Sequence, residues 1–272
     1  MNKRHMLAIL FALALIEGRA LFLLMMEFLS MGGIWICMFI FFSVFIRKGI
    51  RRGLLVFFSY IALILALWFS NAFYAPYQEK TDYSINALTQ LCEQLISQTN
   101  ALYTSEFDKE KILFDAPNVM NVRNAKAIYF KYPEIMDFLN LSGVFIPFTG
   151  QAVINESECD FLMPFVCAHE LSHRKGILNE GQANMHAFVR CMESGERSFQ
   201  YSASVYSLKY AMNEMKNKNE AEYRRLKLSI SDCVQTDLNR MSVNISKYQL
   251  FDYASLIPCL IEYQSITSHG VI

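Results

Sequence analysis

Residues 167–184 read CAHELSHRKGILNEGQAN, and the architecture of the chain turns on how this stretch is arranged in space. His169 and His173 are four residues apart, so on a helix they share one face, with Glu170 beside the first of them. The apolar run FLMPFV just before them continues the pattern and predicts a helix over 161–175. Gly176 can take the left-handed conformation that ends such a helix. Asn179 is then placed to cap a second helix over 180–194, with Gln182 three residues on completing a capping-box-like pair. The turn puts Glu180 at the start of the second helix, pointing back at the histidines, with Asn184 one turn further along the same face.

These residue types suit a metal. Two ring nitrogens a turn apart can hold one ion, but a catalytic zinc site needs a third protein ligand and an open fourth position. Glu180 is the candidate third ligand beside His169 and His173, and Zn2+ is the expected ion. In zinc peptidases the glutamate next to the first histidine takes a proton from metal-bound water and later passes it to the leaving amine, which makes Glu170 the candidate base. Asn184 is placed to hydrogen-bond a ligand ring and fix its orientation. The competing reading is an amphipathic helix with surface histidines. Of the other histidines, His5, His186 and His269 lack a ligand partner at useful spacing, and His186 reads as a helix-face residue.

Working outward, the external part of the chain reads as mainly α with a small β element. Apolar positions from Ile85 to Ile96 recur at helical spacing and predict a helix over 84–103 with Ser84 as its cap. Between about 110 and 155 the segments KAIYF, GVFIPF and QAVIN, broken by Pro133, Gly143, Pro147 and Gly150, predict a small sheet or hairpin. Further helices are expected at about 199–216, 220–238 and 251–266.

Hydrophobic residues make up 53% of the chain, and the surplus lies in the first 76 positions. Three runs there, roughly 6–26, 28–46 and 54–75, approach the length of about 20 apolar residues that a spanning helix needs. Glu17 and Arg19 interrupt the first and are expected to pair at a helix contact. Arg47, Lys48, Arg51 and Arg52 lie between the second and third runs, and NKRH precedes the first. Short positive loops stay cytoplasmic, so the N-terminus is expected inside and everything after Pro76 outside. The expected organisation is a multi-pass cell-membrane protein, with an anchor of about three transmembrane helices at 1–76 and an extracytoplasmic domain at 77–272. Lys and Arg number 25, as do Asp and Glu, so the basic surplus that nucleic-acid binding requires is missing. Six cysteines fall after residue 76 (Cys92, Cys159, Cys167, Cys191, Cys233, Cys259). They read either as pairs in an oxidising compartment or as small buried residues with free thiols. No feature specifies an oligomeric state.

The runs GVFIPFTGQAVIN (143–155), HELSHRKGILNEGQAN (169–184) and FQYSASVYSLKY (199–210) resemble the bacterial membrane-protein family catalogued as domain of unknown function 3810. Members of that family resemble zinc metallopeptidases, with N-terminal membrane spans and an external zincin-like domain. The resemblance implies His169 and His173 as zinc ligands, Glu170 as base and Glu180 as third ligand. Gln151 and Gln182 depart from it, each standing where the family pattern has a glutamate. Two further expectations follow. QAVIN, and within it Gln151, Ala152 and Val153, is expected as an edge strand against which an extended substrate peptide lies, the alternative being a purely structural strand. Tyr201 is expected either to donate to the oxyanion formed on the substrate or to pack in the core. The expected activity is peptide-bond hydrolysis outside the cytoplasm on a peptide or protein substrate, with a non-catalytic metal-binding membrane sensor or scaffold as the alternative.

Overall fold

The computed structural model describes residues 83–245, apart from 140, 147 and 148, together with 256–268 and scattered positions between 40 and 62. The apolar run 6–26 and most of the runs 28–46 and 54–75 lie outside the described residues. Among the described residues no helix is long and apolar enough to cross a membrane.

The part of the chain from residue 83 onward is mainly helical, with one three-stranded sheet among the described residues. It opens with α1 (Ile85–Leu102), whose cap Ser84 accepts from the Ala87 N–H at 3.1 Å. Leu88, Leu91, Leu95 and Ile96 are buried as the 3.6-residue period requires. Next comes α2 (Lys109–Val119), capped by the Asp108 carboxylate. The strand β1 (Lys126–Tyr129) is followed by the short α3 (Pro133–Phe138), β2 (Gly143–Ile146) and β3 (Gln151–Ile154). Then come α4 (Met163–Arg174), α5 (Glu180–Glu193), the long α6 (Arg197–Lys218), α7 (Glu220–Lys227), α8 (Asp232–Ile245) and α9 (Leu256–Ser268).

The three strands occupy the predicted KAIYF, GVFIPF and QAVIN segments, but their order is β1-β3-β2. β3 therefore lies in the middle, parallel to β1 and antiparallel to β2. This corrects the expectation for Gln151, Ala152 and Val153: both ladders of their strand are occupied, so a peptide cannot add beside them. The edge strand of the hairpin is β2. Two other differences come from proline and from a distant clamp. Pro133 occupies the first turn of α3, where its missing N–H costs nothing, so it starts a helix inside the region expected to be β. The helix expected over 220–238 is broken at 228–231, because Asn100 on α1 satisfies the exposed backbone there. Its Nδ2 donates to the Ser229 carbonyl at 2.9 Å and its Oδ1 accepts from the Ser231 N–H at 3.0 Å.

The helix α4 is the axis of the domain. Every residue in it is buried except His173, since it packs on α2, α5, α6, β2 and β3 at once. Cys92, Cys167 and Cys191 are buried thiols in this core, in line with the free-thiol reading for those three. At the end of α4 the Arg174 guanidinium, 2% exposed, donates to the Gly150 carbonyl at 3.0 Å and to the Arg123 carbonyl at 3.1 Å. Gly150 has φ 65, the left-handed turn residue between β2 and β3. One buried cation thus ties the hairpin to the helix that carries both histidines. Arg174→Met keeps most of the volume but strands two carbonyls, and it is expected to cost about 3 kcal/mol in chemical unfolding of the full chain.

Candidate metal centre

Local rules bring the two histidines and Glu180 together. α4 ends at Lys175, Gly176 follows with φ 81, and its N–H bonds the His173 carbonyl at 2.9 Å. Asn179 then caps α5 by accepting from the Gln182 N–H at 3.0 Å. Glu180, the first residue of α5, turns back so that its Oε2 is 3.0 Å from His169 Nε2 and its Oε1 is 3.6 Å from His173 Nε2. The two Nε2 atoms are 3.1 Å apart, with the rings perpendicular. These three side chains form a group of ligand atoms all within 4.8 Å of one another, able to hold a metal ion.

The outer nitrogens decide what the inner ones offer. His173 Nδ1 lies 2.7 Å from the Ile177 carbonyl oxygen, which can only accept, so Nδ1 carries the proton. His169 Nδ1 lies 2.8 Å from Asn184 Oδ1, inside the protein. In the neutral rings both Nε2 atoms then present lone pairs to each other and to the carboxylate. Glu180 Oε2 is consequently a buried acceptor with no donor. Without a metal, one added proton relieves this: the charge on His169 is favoured by Glu180 and Glu170 even though burial opposes it, so its pKa is raised. The Glu180 carboxyl is held below its usual range by the same histidines, again against the cost of burial. His173 is pushed down to about 4, first by burial and then by the charge on His169. A divalent cation satisfies all three donors at once, so the donor set fits one.

Glu170 lies beside this group, 3% exposed, under the edge strand β2. Burial is the main reason its carboxyl is raised to about 7, with His169 and the Phe145 N–H pulling the other way. Tyr201 does not join the group. Its hydroxyl donates to Asp237 at 2.7 Å and its ring packs edge-on against Tyr103, because α6 is surrounded by core on nearly all sides. His186 also has a use that its spacing did not reveal. Its Nδ1 lies 2.9 Å from the Ser172 hydroxyl, which bonds the Ala168 carbonyl, so it braces α5 against α4. The Ile177 carbonyl and the close approach of β2 to Glu170 were likewise hidden from the sequence, since backbone contacts leave no residue-type signal.

Over residues 9–256 the chain matches the family described as Protein of unknown function (DUF3810). The chain belongs to that family. The match runs from the first apolar run into the start of α9 and includes the whole His–His–Glu group. No curated protein and no solved structure matches it.

Two outcomes are expected for this DUF3810 chain. Asn184→Ala frees the His169 ring to rotate and is expected to weaken metal affinity roughly 10–100-fold without abolishing it, read by competition with a chromophoric chelator. In metal-free protein Glu170 titrates near its raised value when folded and near 4.5 when unfolded. Between those two values the folded state binds more protons, so stability falls as pH rises. Glu170→Gln mimics the neutral acid, and its urea midpoint is expected to exceed that of wild type at pH 8 while matching it at pH 5.

Proposed function

We propose that the chain is a membrane-anchored zinc metallopeptidase whose external domain is zincin-like. The observation that carries this reading is the convergence of His169 Nε2, His173 Nε2 and the Glu180 carboxylate, with Glu170 beside them. Two imidazoles and one carboxylate are the donor set of catalytic zinc sites, which keep a fourth position for water or substrate. Zinc, when bound, polarises a carbonyl oxygen and acidifies water at that position. Glu170 accepts a proton from the attacking water and delivers it to the leaving amine. A carboxyl already raised to about 7 by burial suits both halves of that task. Asn184 and the Ile177 carbonyl hold the two ligand rings in the required tautomer.

The substrate class follows from the sheet. A peptide adds as a strand only to an open edge, and β2 supplies that edge directly over Glu170. An extended peptide or unfolded protein segment is therefore the proposed substrate, with no nucleic acid involved. Anchoring to the bilayer rests on the apolar runs of the first 76 residues. Support comes from the described positions there: Gly49, φ 84, breaks the helix within the basic Arg47–Arg52 stretch, and Phe45, Ile46, Ile50, Leu55 and Phe58 around it are exposed. Apolar side chains exposed on both sides of a basic turn fit a cytoplasmic loop between two spans, with the catalytic domain outside. One observation favours a second reading, a non-catalytic metal-binding sensor or scaffold: His169 and Glu170 are each only 3% exposed.

Metal analysis and turnover separate the two. Purified full-length chain is expected to hold about one zinc. His173→Ala and Glu180→Ala are expected to lose it, whereas Glu170→Gln keeps it and loses hydrolysis of a peptide library. Equal hydrolysis by Glu170→Gln and wild type would remove the mechanism, and zinc retained by Glu180→Ala would name another third ligand.

A further inference from the structure

The strand β2 crosses α4 at unusually short range. A Cβ placed on Gly143 would stand 2.8 Å from Glu170 Cγ, 2.9 Å from Glu170 Oε1 and 2.9 Å from Val166 Cγ1. Separations below about 3 Å do not occur between such atoms without displacement, so any other residue here would push the carboxylate aside. The need is for space alone, because Gly143 is absent from the positive-φ glycines of the chain. Two residues further along β2, the Phe145 backbone favours the charged form of the Glu170 carboxyl, against the burial that disfavours it. In the antiparallel pairing Phe145 stands opposite Ala152. The Asn155 N–H bonds the Ser142 carbonyl, so in this alternating ladder Val144 and Ile146 face β3 and the Phe145 N–H points to the open edge.

We infer that Gly143 is a positioning residue for the base: by lacking a side chain it lets Glu170 lie against β2, so the edge strand as well as α4 sets where the carboxylate stands. The inference rests on the peptidase reading for its catalytic consequence, and on the contact itself for everything else. A carboxylate carried only by a helix can swing about its χ angles, whereas one seated between a strand and a helix cannot. Seating it on the edge strand puts the base and a peptide added to that strand in one frame. The three atoms nearest an added Cβ belong to Glu170 and Val166 and not to the proposed zinc ligands, so metal binding and base placement are separable by mutation.

The test uses the full chain in detergent with four forms: wild type, Gly143→Ala, Glu170→Ala and the double variant. Gly143→Ala is expected to lower the thermal midpoint by about 5 °C, a size typical of overpacking. In the Glu170→Ala background, where the Cγ and Oε1 clashes are gone, the loss is expected to shrink to the residual contact with Val166. Equal losses in both backgrounds overturn the inference. Loaded with zinc chloride, Gly143→Ala is expected to bind the same one equivalent as wild type. Its kcat on a quenched-fluorescence peptide is expected to fall about 100-fold, the size of a 1 Å misplacement, with KM little changed. A wild-type kcat in Gly143→Ala also overturns it. If wild type itself cleaves no peptide, the peptidase reading falls, and the unfolding cycle alone decides whether Gly143 seats Glu170.

Discussion

Two imidazole lone pairs held 3.1 Å apart and aimed at a carboxylate repel one another unless a proton or a cation sits among them. That repulsion has to be held in place by the rest of the molecule, and much of the domain does so. The Ile177 carbonyl and Asn184 keep the outer ring nitrogens protonated, which turns the lone pairs inward. Gly176 supplies the left-handed turn that brings α5 back beside α4, and Asn179 starts α5 at the residue that delivers the carboxylate. Arg174 fixes the hairpin to the end of the same helix. Remove any of these and the three donors drift apart to relieve their own repulsion.

Burial sharpens the effect. With α4 enclosed on nearly every side, charges at the group are poorly screened, which is why His173 is pushed down to about 4 and Glu170 up to about 7. A metal-dependent reaction profits from a water-poor surround, because fixed donors act more strongly there than in solvent.

How much of this was legible follows the range of the interactions. The helix carrying His169 and His173, the glycine stop, the Asn179 cap and the start of α5 at Glu180 all depend on residues within a few positions of one another, so residue types and spacing were enough. The place of β3 was not legible. QAVI and GVFI are both short β-rich segments, and which one lies in the centre depends on β1 entering the sheet parallel to β3 from elsewhere in the chain. The break at 228–231 depends on Asn100, more than a hundred residues earlier. The place of Tyr201 beside Asp237 was not legible for a related reason: α6 shows almost no amphipathic bias, since most of its sides are buried, so its pattern could not say which neighbour each face meets.

Gln182 stands where the resemblance implied a glutamate, and helix geometry sets what a carboxylate there would reach. On an α-helix a residue two positions on lies about 200° round the axis, so position 182 cannot share the face of Glu180 and Asn184. Gln182 instead lines a groove of about 420 Å³ with Met185, Val189 and Tyr263, and its backbone N–H is bound to the Asn179 cap. A glutamate there would face that groove, which His186 and Glu262 also line, and not the face that carries Glu180 towards His169 and His173. Exchange of glutamate for glutamine at 182 therefore removes no donor from the group. The carboxylate at 180 is the one whose position on the helix lets it meet both rings, and this chain keeps it.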